Sequence, residues 1–194
     1  MEKKTAILSV CLNPAWQKTL HFQTLRYGQV NRAEWIRESG GGKGINFARA
    51  AHKLGVNVCV AHFAGGSTGK QLTDELDKNG IQYIAEPIEG HTRVCTTAIS
   101  AGDSTITELI EPSATVSANS AKRLLAAILS RLPQYDAVAL CGTVPPGIDG
   151  TFYARIARAA GEQGKLVLLD ACKDVVETLN AGVHILKINQ QELL

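Results

Sequence analysis

The chain has 194 residues, a mass of 20.7 kDa and a formal net charge of +2. Its 45% apolar and 20% charged residues are globular proportions, which exclude a disordered or fibrous chain. So balanced a charge leaves no electrostatic footprint for nucleic acid or an anionic membrane. No apolar run approaches the ~20 residues that a membrane-spanning helix needs.

Lys3 and Lys4 before an apolar stretch from Thr5 to Leu12 imitate a signal peptide. The stretch is short, runs into Asn13-Pro14 and has no small-residue cleavage site. Val10 before Cys11 is too bulky for a lipoprotein signal. A buried first strand over 6–11 is the better reading. The apolar stripe Ile45, Ala48, Ala51 and Leu54 predicts a helix over 44–54, stopped by Gly55. A strand over 56–63 and a helix over 68–78 follow, the latter ended by Asn79-Gly80. A third strand covers 81–85. Ser117 can cap a helix whose Ala121, Leu124, Leu125, Ile128, Leu129 and Leu132 recur at helical spacing. A strand over 137–141, a helix over 151–160, strands over 166–169 and 184–186, and a helix opened by Asn189 complete the series. The late strands are apolar throughout, as parallel strands covered on both faces are. The alternation predicts an α/β fold with a doubly wound, mainly parallel sheet.

Two segments break that rhythm. Residues 16–38 hold two amphipathic strands around Tyr27-Gly28, the second expected over 30–36. Residues 91–111 hold two more around Ala101-Gly102-Asp103-Ser104, a hairpin signal. They predict a small antiparallel β lid inserted in two pieces. The five cysteines are scattered without a CxxC pair, so metal-ligand spacing is missing and reduced thiols are expected. Reduced thiols point to the cytoplasm.

Open α/β sheets bind ligands outside the carboxyl ends of their strands. At those ends this sequence places Asn13-Pro14-Ala15, Gly65-Gly66, Gly142-Thr143, Asp170 and Lys187-Ile188-Asn189. The densest signal is Ser39-Gly40-Gly41-Gly42-Lys43-Gly44-Ile45-Asn46 before a helix. Glycines let backbone approach a ligand, and a helix start offers free N–H groups. A plain turn needs no Lys and Asn as well, so binding is favoured. Two standard motifs fail. Phe47 stands where a dinucleotide fingerprint needs its last glycine. Residues 64–71 imitate a phosphate loop but have Ala64 for its first glycine and Gln71 for its metal-binding hydroxyl.

Taken in order, Asn13-Pro14-Ala15, Gly41-Gly42-Lys43-Gly44-Ile45-Asn46, Ala48-Arg49, Leu54-Gly55, Gly65-Gly66-x-x-Gly69, Thr92-Arg93, residues 142–147 and Asn189-x-x-Glu192 resemble the PfkB (ribokinase-like) carbohydrate kinases. The 1-phosphofructokinase and tagatose-6-phosphate kinase branch is the most similar. The resemblance covers essentially the whole chain. It implies ATP- and Mg²⁺-dependent phosphorylation of a sugar phosphate: fructose 1-phosphate, fructose 6-phosphate or tagatose 6-phosphate. Carried over, Asn13 and the position of Gln17 belong to the sugar site, and Gly41, Gly42 and Asn46 hold sugar hydroxyls. Lys43, Arg93 and Thr143 surround the substrate phosphate, where a planar Arg fork suits an anion. Asn189 and Glu192, with Asp170 and Lys187 nearby, belong to the nucleotide and Mg²⁺ network, with no direct metal ligand among them. The resemblance leaves open a homodimer paired through the lid.

Gln17 departs from the family's Asp, Thr143 from a common Ser, and Ile188 from a usual Pro. The family's Gly-Ala-Gly-Asp loop carries the catalytic base and lies beyond the Asn-x-x-Glu motif. That string does not occur here, and most nucleotide-binding elements would also lie past Leu194. The expectation is an incomplete ribokinase-like α/β domain over 1–194, nearly inactive alone because base and oxyanion donors are large catalytic terms. The alternative is a non-catalytic sugar-phosphate-binding module.

Overall fold

The structure is a computed structural model and describes residues 5–193; Lys3, Lys4 and Leu194 lie outside them. The strands are β1 (Ala6–Cys11), β2 (Ala15–Phe22), β3 (Trp35–Gly41), β4 (Asn57–Gly65), β5 (Gln82–Ile88), β6 (Val94–Ser100), β7 (Thr105–Ile110), β8 (Ala137–Cys141), β9 (Leu166–Asp170) and β10 (Ile185–Leu186). The helices are α1 (Lys43–Lys53), α2 (Gly66–Lys78), α3 (Ala118–Arg131), α4 (Phe152–Glu162), α5 (Val176–Asn180) and α6 (Gln190–Leu193).

Six strands form one parallel sheet in the order β10-β9-β8-β1-β4-β5. Alternate side chains supply two cores, one on each face. Leu8, Val10 and Leu12 join Cys59, Ala61, Phe63, Leu140 and Leu169 beneath α3 and α4. Cys11, Val58 and Val60 join Ile45, Ala48, Leu72 and Leu76 of α1 and α2. Ser117 caps α3 by accepting from the Ser120 N–H at 3.1 Å, as its position predicts. Among the described residues no helix is long and apolar enough to cross a membrane.

The lid is a four-stranded sheet, β3-β2-β6-β7. Each inserted piece is an antiparallel hairpin, and a parallel pair, β2 with β6, joins them into a mixed sheet. One lid strand is displaced from its expected place at 30–36. β3 starts at Trp35, opposite His21, and runs through Ser39-Gly40 to pair Gly41 with Ala15. The glycines read as a turn are therefore mostly strand. The turn is Gly42 alone, whose φ of 103° is open to glycine and strained for other residues.

Counting outward from β1, chain order runs one way through β4 and β5 and the other way through β8, β9 and β10. The order therefore reverses between β1 and β8, the place where open α/β sheets form a ligand crevice.

Candidate functional site

A cleft of about 390 Å³ opens there, between the carboxyl edge of the main sheet and the lid. Eight of the twelve residues proposed from sequence line it: Asn13, Gln17, Gly42, Lys43, Asn46, Arg93, Thr143 and Glu192. Gly41, Asp170, Lys187 and Asn189 are not on its wall.

Asn13 follows β1 and Thr143 follows β8, so the reversal point brings them together across 130 residues of sequence. Asn13 Nδ2 donates to Thr143 Oγ1 at 3.1 Å, and Ser113 Oγ donates to Asn13 Oδ1 at 2.8 Å. Arg93, just before β6, donates from Nη2 to the Asn13 carbonyl oxygen at 3.3 Å. Its Nε is buried with no partner. A guanidinium has five N–H donors and needs an acceptor for each. Arg93 therefore has donor capacity left over, beside the same cleft. Gln17 on β2 donates Nε2 to Thr97 Oγ1 at 2.7 Å, which leaves its Oε1 as an acceptor.

Behind Lys43 and Glu192, which line the cleft, runs a chain of ion pairs. Lys43 Nζ lies 2.8 Å from Asp170 Oδ1 and 2.6 Å from Glu192 Oε1, and Lys187 Nζ lies 3.4 Å from Asp170. Lys43 opens α1, Asp170 ends β9 and Lys187 follows β10, so a helix start and two neighbouring strand ends meet through charge. Burial pulls the Lys43 pKa down, but hydrogen bonds to Asp170 and Glu192 outweigh it and leave the pKa raised. The Lys43 hydrogen bond, followed by the Asn189 N–H, holds the Glu192 carboxyl below its ordinary range. Asn189 and Glu192 form a reciprocal cap. The Glu192 N–H donates to Asn189 Oδ1 at 2.8 Å, and the Asn189 N–H donates to Glu192 Oε2 at 3.0 Å. The Asn-x-x-Glu spacing is thus explained locally by the turn it closes, and one Glu192 oxygen is left for Lys43.

Lys43, expected beside a substrate phosphate, shares its charge with two carboxylates here. Among the described residues no group of three His, Cys, Asp or Glu side chains could hold a metal. The Asp170–Glu192 pair can meet Mg²⁺ only in the manner that ion prefers, through one or two carboxylates with retained waters and phosphates. Burial pushes up the thiols of Cys11 and Cys95, which line the cleft, and that of Cys141 beside Cys11 to about 12.

Sequence reasoning passed over Thr97, Ser113 and Glu108. Thr97 and Ser113 read as ordinary strand and loop hydroxyls, and only the fold brings them to Gln17 and Asn13. Glu108 sits opposite Thr97 in the β6–β7 register and lines the cleft. On an exposed edge strand it has the pattern of a solvated charge. The false phosphate loop is an ordinary strand-to-helix junction, with Lys70 paired to Asp74 one turn along α2.

The family model for pfkB family carbohydrate kinases matches residues 3–194. A tagatose-6-phosphate kinase of Staphylococcus epidermidis is 28% identical over 190 residues, 96% of this chain and 61% of that protein. The crystal structure of a possible 1-phosphofructokinase of Thermotoga maritima superimposes with a TM-score of 0.88 at 28% identity, over 96% of this chain and 61% of that one. Escherichia coli phosphofructokinase-2 in complex with fructose-6-phosphate shares the fold, with a TM-score of 0.85 at 21% identity, over 98% of this chain and 63% of that one. The chain therefore spans about three fifths of the relatives it matches. With its motifs in order, its sheet reversed at β1 and β8 and its cleft roofed by the lid, the chain belongs to the PfkB family of carbohydrate kinases.

Proposed function

We propose that this chain forms the sugar-phosphate-binding side of an ATP-dependent kinase acting on a ketose phosphate of the fructose 1-phosphate, fructose 6-phosphate or tagatose 6-phosphate type. The cleft's division of labour carries this reading. One wall offers Arg93 donors, with Asn13 and Thr143 beside them. The lid offers Gln17 and Thr97 as neutral partners for hydroxyls. A sugar phosphate has one anionic end and several hydroxyls, and the cleft has matching ends. Lys43 joins this site to the Asp170–Glu192 pair, which would hold the waters around Mg²⁺ and face the ATP phosphates. In this reading the base that accepts the hydroxyl proton is not among the residues of the cleft. The isolated chain then binds its sugar phosphate and turns over ATP poorly. The exposed lid residues Trp35, Ile36 and Ile106 are the surface through which two copies would pair.

Calorimetric titration with the three ketose phosphates tests this. At least one binds, and Arg93→Ala weakens it about tenfold or more while barely affecting the unphosphorylated sugar, because a charge-assisted bond contributes ~1.5–3 kcal/mol. Absence of binding to all three overturns the reading. Equal loss for both sugars overturns the phosphate role of Arg93, and brisk ATP turnover by the chain alone overturns the division of labour.

A further inference from the structure

Arg49 lies on α1, one turn beyond Asn46. Its Nη1 donates to Asn46 Oδ1 at 3.0 Å, and its Nη2 donates to the Gly40 carbonyl at 2.7 Å and to Glu75 Oε1 at 3.0 Å. Glu75, on α2, uses its other oxygen to accept from the Gly40 N–H. Gly40 thus donates to one member of the ion pair and accepts from the other, in a closed ring across β3, α1 and α2. A Cβ at position 40 would run into the end of the Leu72 side chain and come within 3.1 Å of Glu75 Oε2, so glycine lets the pair sit this close without displacing either side chain.

The ring has a chemical consequence for the cleft. A guanidinium has donors and no acceptor, so Asn46 must turn its carbonyl oxygen toward Arg49. Its NH₂ group is then the face left for a ligand. We propose that Arg49, backed by Glu75, is a positioning residue that presents Asn46 to the ligand as a hydrogen-bond donor. The preferred ligand atom at Asn46 is accordingly an acceptor, a sugar hydroxyl or phosphate oxygen. That ligand side rests on the sugar-phosphate reading above; the orientation of Asn46 does not. Lysine at 49 keeps the charge opposite Glu75 but replaces the planar fork with one ammonium, which cannot serve three acceptors in this geometry.

The test combines a double-mutant cycle with a ligand-free readout. Arg49→Lys weakens ketose-phosphate binding about three- to tenfold, the size of one lost hydrogen bond, with a melting temperature close to that of the wild type. In an Asn46→Ala background the same change costs nothing further, because Arg49 acts through Asn46. The Asn46 side-chain amide signals in a ¹⁵N spectrum shift or broaden in Arg49→Lys without ligand. Glu75→Gln, which keeps the shape of the pair, gives a weaker form of the same pattern and stands in if Arg49→Lys does not fold. Additive losses in the cycle, or unmoved Asn46 amide signals, overturn the proposal. If the wild type binds no ketose phosphate, the sugar-phosphate reading falls and the amide signals alone decide the role of Arg49.

Discussion

The two sheets draw on similar apolar residues and meet solvent in opposite ways. Leu8 and Val10 of β1, Leu140 of β8 and Leu169 of β9 are wholly buried, because helices cover both faces of the main sheet. In the lid every residue of β7 is exposed, with Ile106 at 67%. The main sheet therefore presents Asn13, Thr143 and Asp170 from a fixed edge. The lid brings Gln17 and Glu108 from a sheet resting chiefly on α2 and its own buried Trp16, Phe22 and Ala98. One half of the cleft is frame and the other is cover. Local opening that costs least should start in the cover, where little apolar surface is buried.

The most direct attack on that contrast is truncation in the frame. Ile156 on α4 is fully buried, and Ile156→Ala should lower the unfolding free energy by about 2–5 kcal/mol, measured by urea titration. A loss below 1 kcal/mol would show that the frame is less tightly packed than its burial implies.

A second probe of the frame is pH. His62 on β4 is fully buried, donates its Nδ1–H to the Phe63 carbonyl oxygen at 3.0 Å, and has no partner for Nε2. Burial lowers its pKa to about 4. The unfolded chain takes up the proton near 6.5 and the folded chain resists it until about 4. Stability therefore falls as pH drops through that window, by about 1.4 kcal/mol per unit of depression. His62→Gln should flatten the unfolding free energy between pH 6.5 and 4. An unchanged slope would place the acid sensitivity elsewhere.

The frame was the more legible half. Its strands are short apolar runs and its helices carry clear stripes, so β1, β8 and the Ser117 cap stand where the periodicity puts them. The displaced lid strand shows the limit. Residues 30–34 are expected in the strand, but pairing with β2 selects 35–41 instead, and strand pairing is a long-range contact that periodicity does not contain. The candidate site divides in the same way. Glycines, Lys43, Asn46 and the Asn-x-x-Glu turn are local signals. The Asn13–Thr143 bond, the Gln17–Thr97 bond and the Lys43 triad span 80 to 149 residues of sequence and exist only once the sheet edge is assembled.

Where frame meets cleft, Lys43→Met removes the ammonium that Asp170 and Glu192 share. The Glu192 carboxyl should then titrate at higher pH, since Lys43 is the first cause of its depression. Carbon-detected NMR of the Glu192 carboxyl reads this directly. In the wild type the Glu192–Lys43 tether is complete above the ordinary carboxylate range and is lost as pH falls through the lowered Glu192 pKa. On the alkaline side it is lost as pH rises through the raised Lys43 pKa. A Glu192 titration unmoved by the substitution would mean that the Asn189 cap alone sets it.

The smallest effect belongs to the cover. Ile106 is exposed on the edge strand β7, so Ile106→Thr gives up little buried surface and keeps a β-branched side chain. The unfolding free energy should move by no more than about 0.5 kcal/mol at low protein concentration. Backbone amides of β7 should exchange with solvent well before those of β1 and β8, because one edge of β7 is unpaired while β1 is flanked by β4 and β8. The informative variable is concentration. If a second chain covers this face, the wild type gains stability as concentration rises, and the cost of Ile106→Thr rises with it, by mass action. A cost independent of concentration confines the lid to its role over the cleft of its own chain. A rising cost makes the cover part of an interface and narrows the contrast between the two sheets.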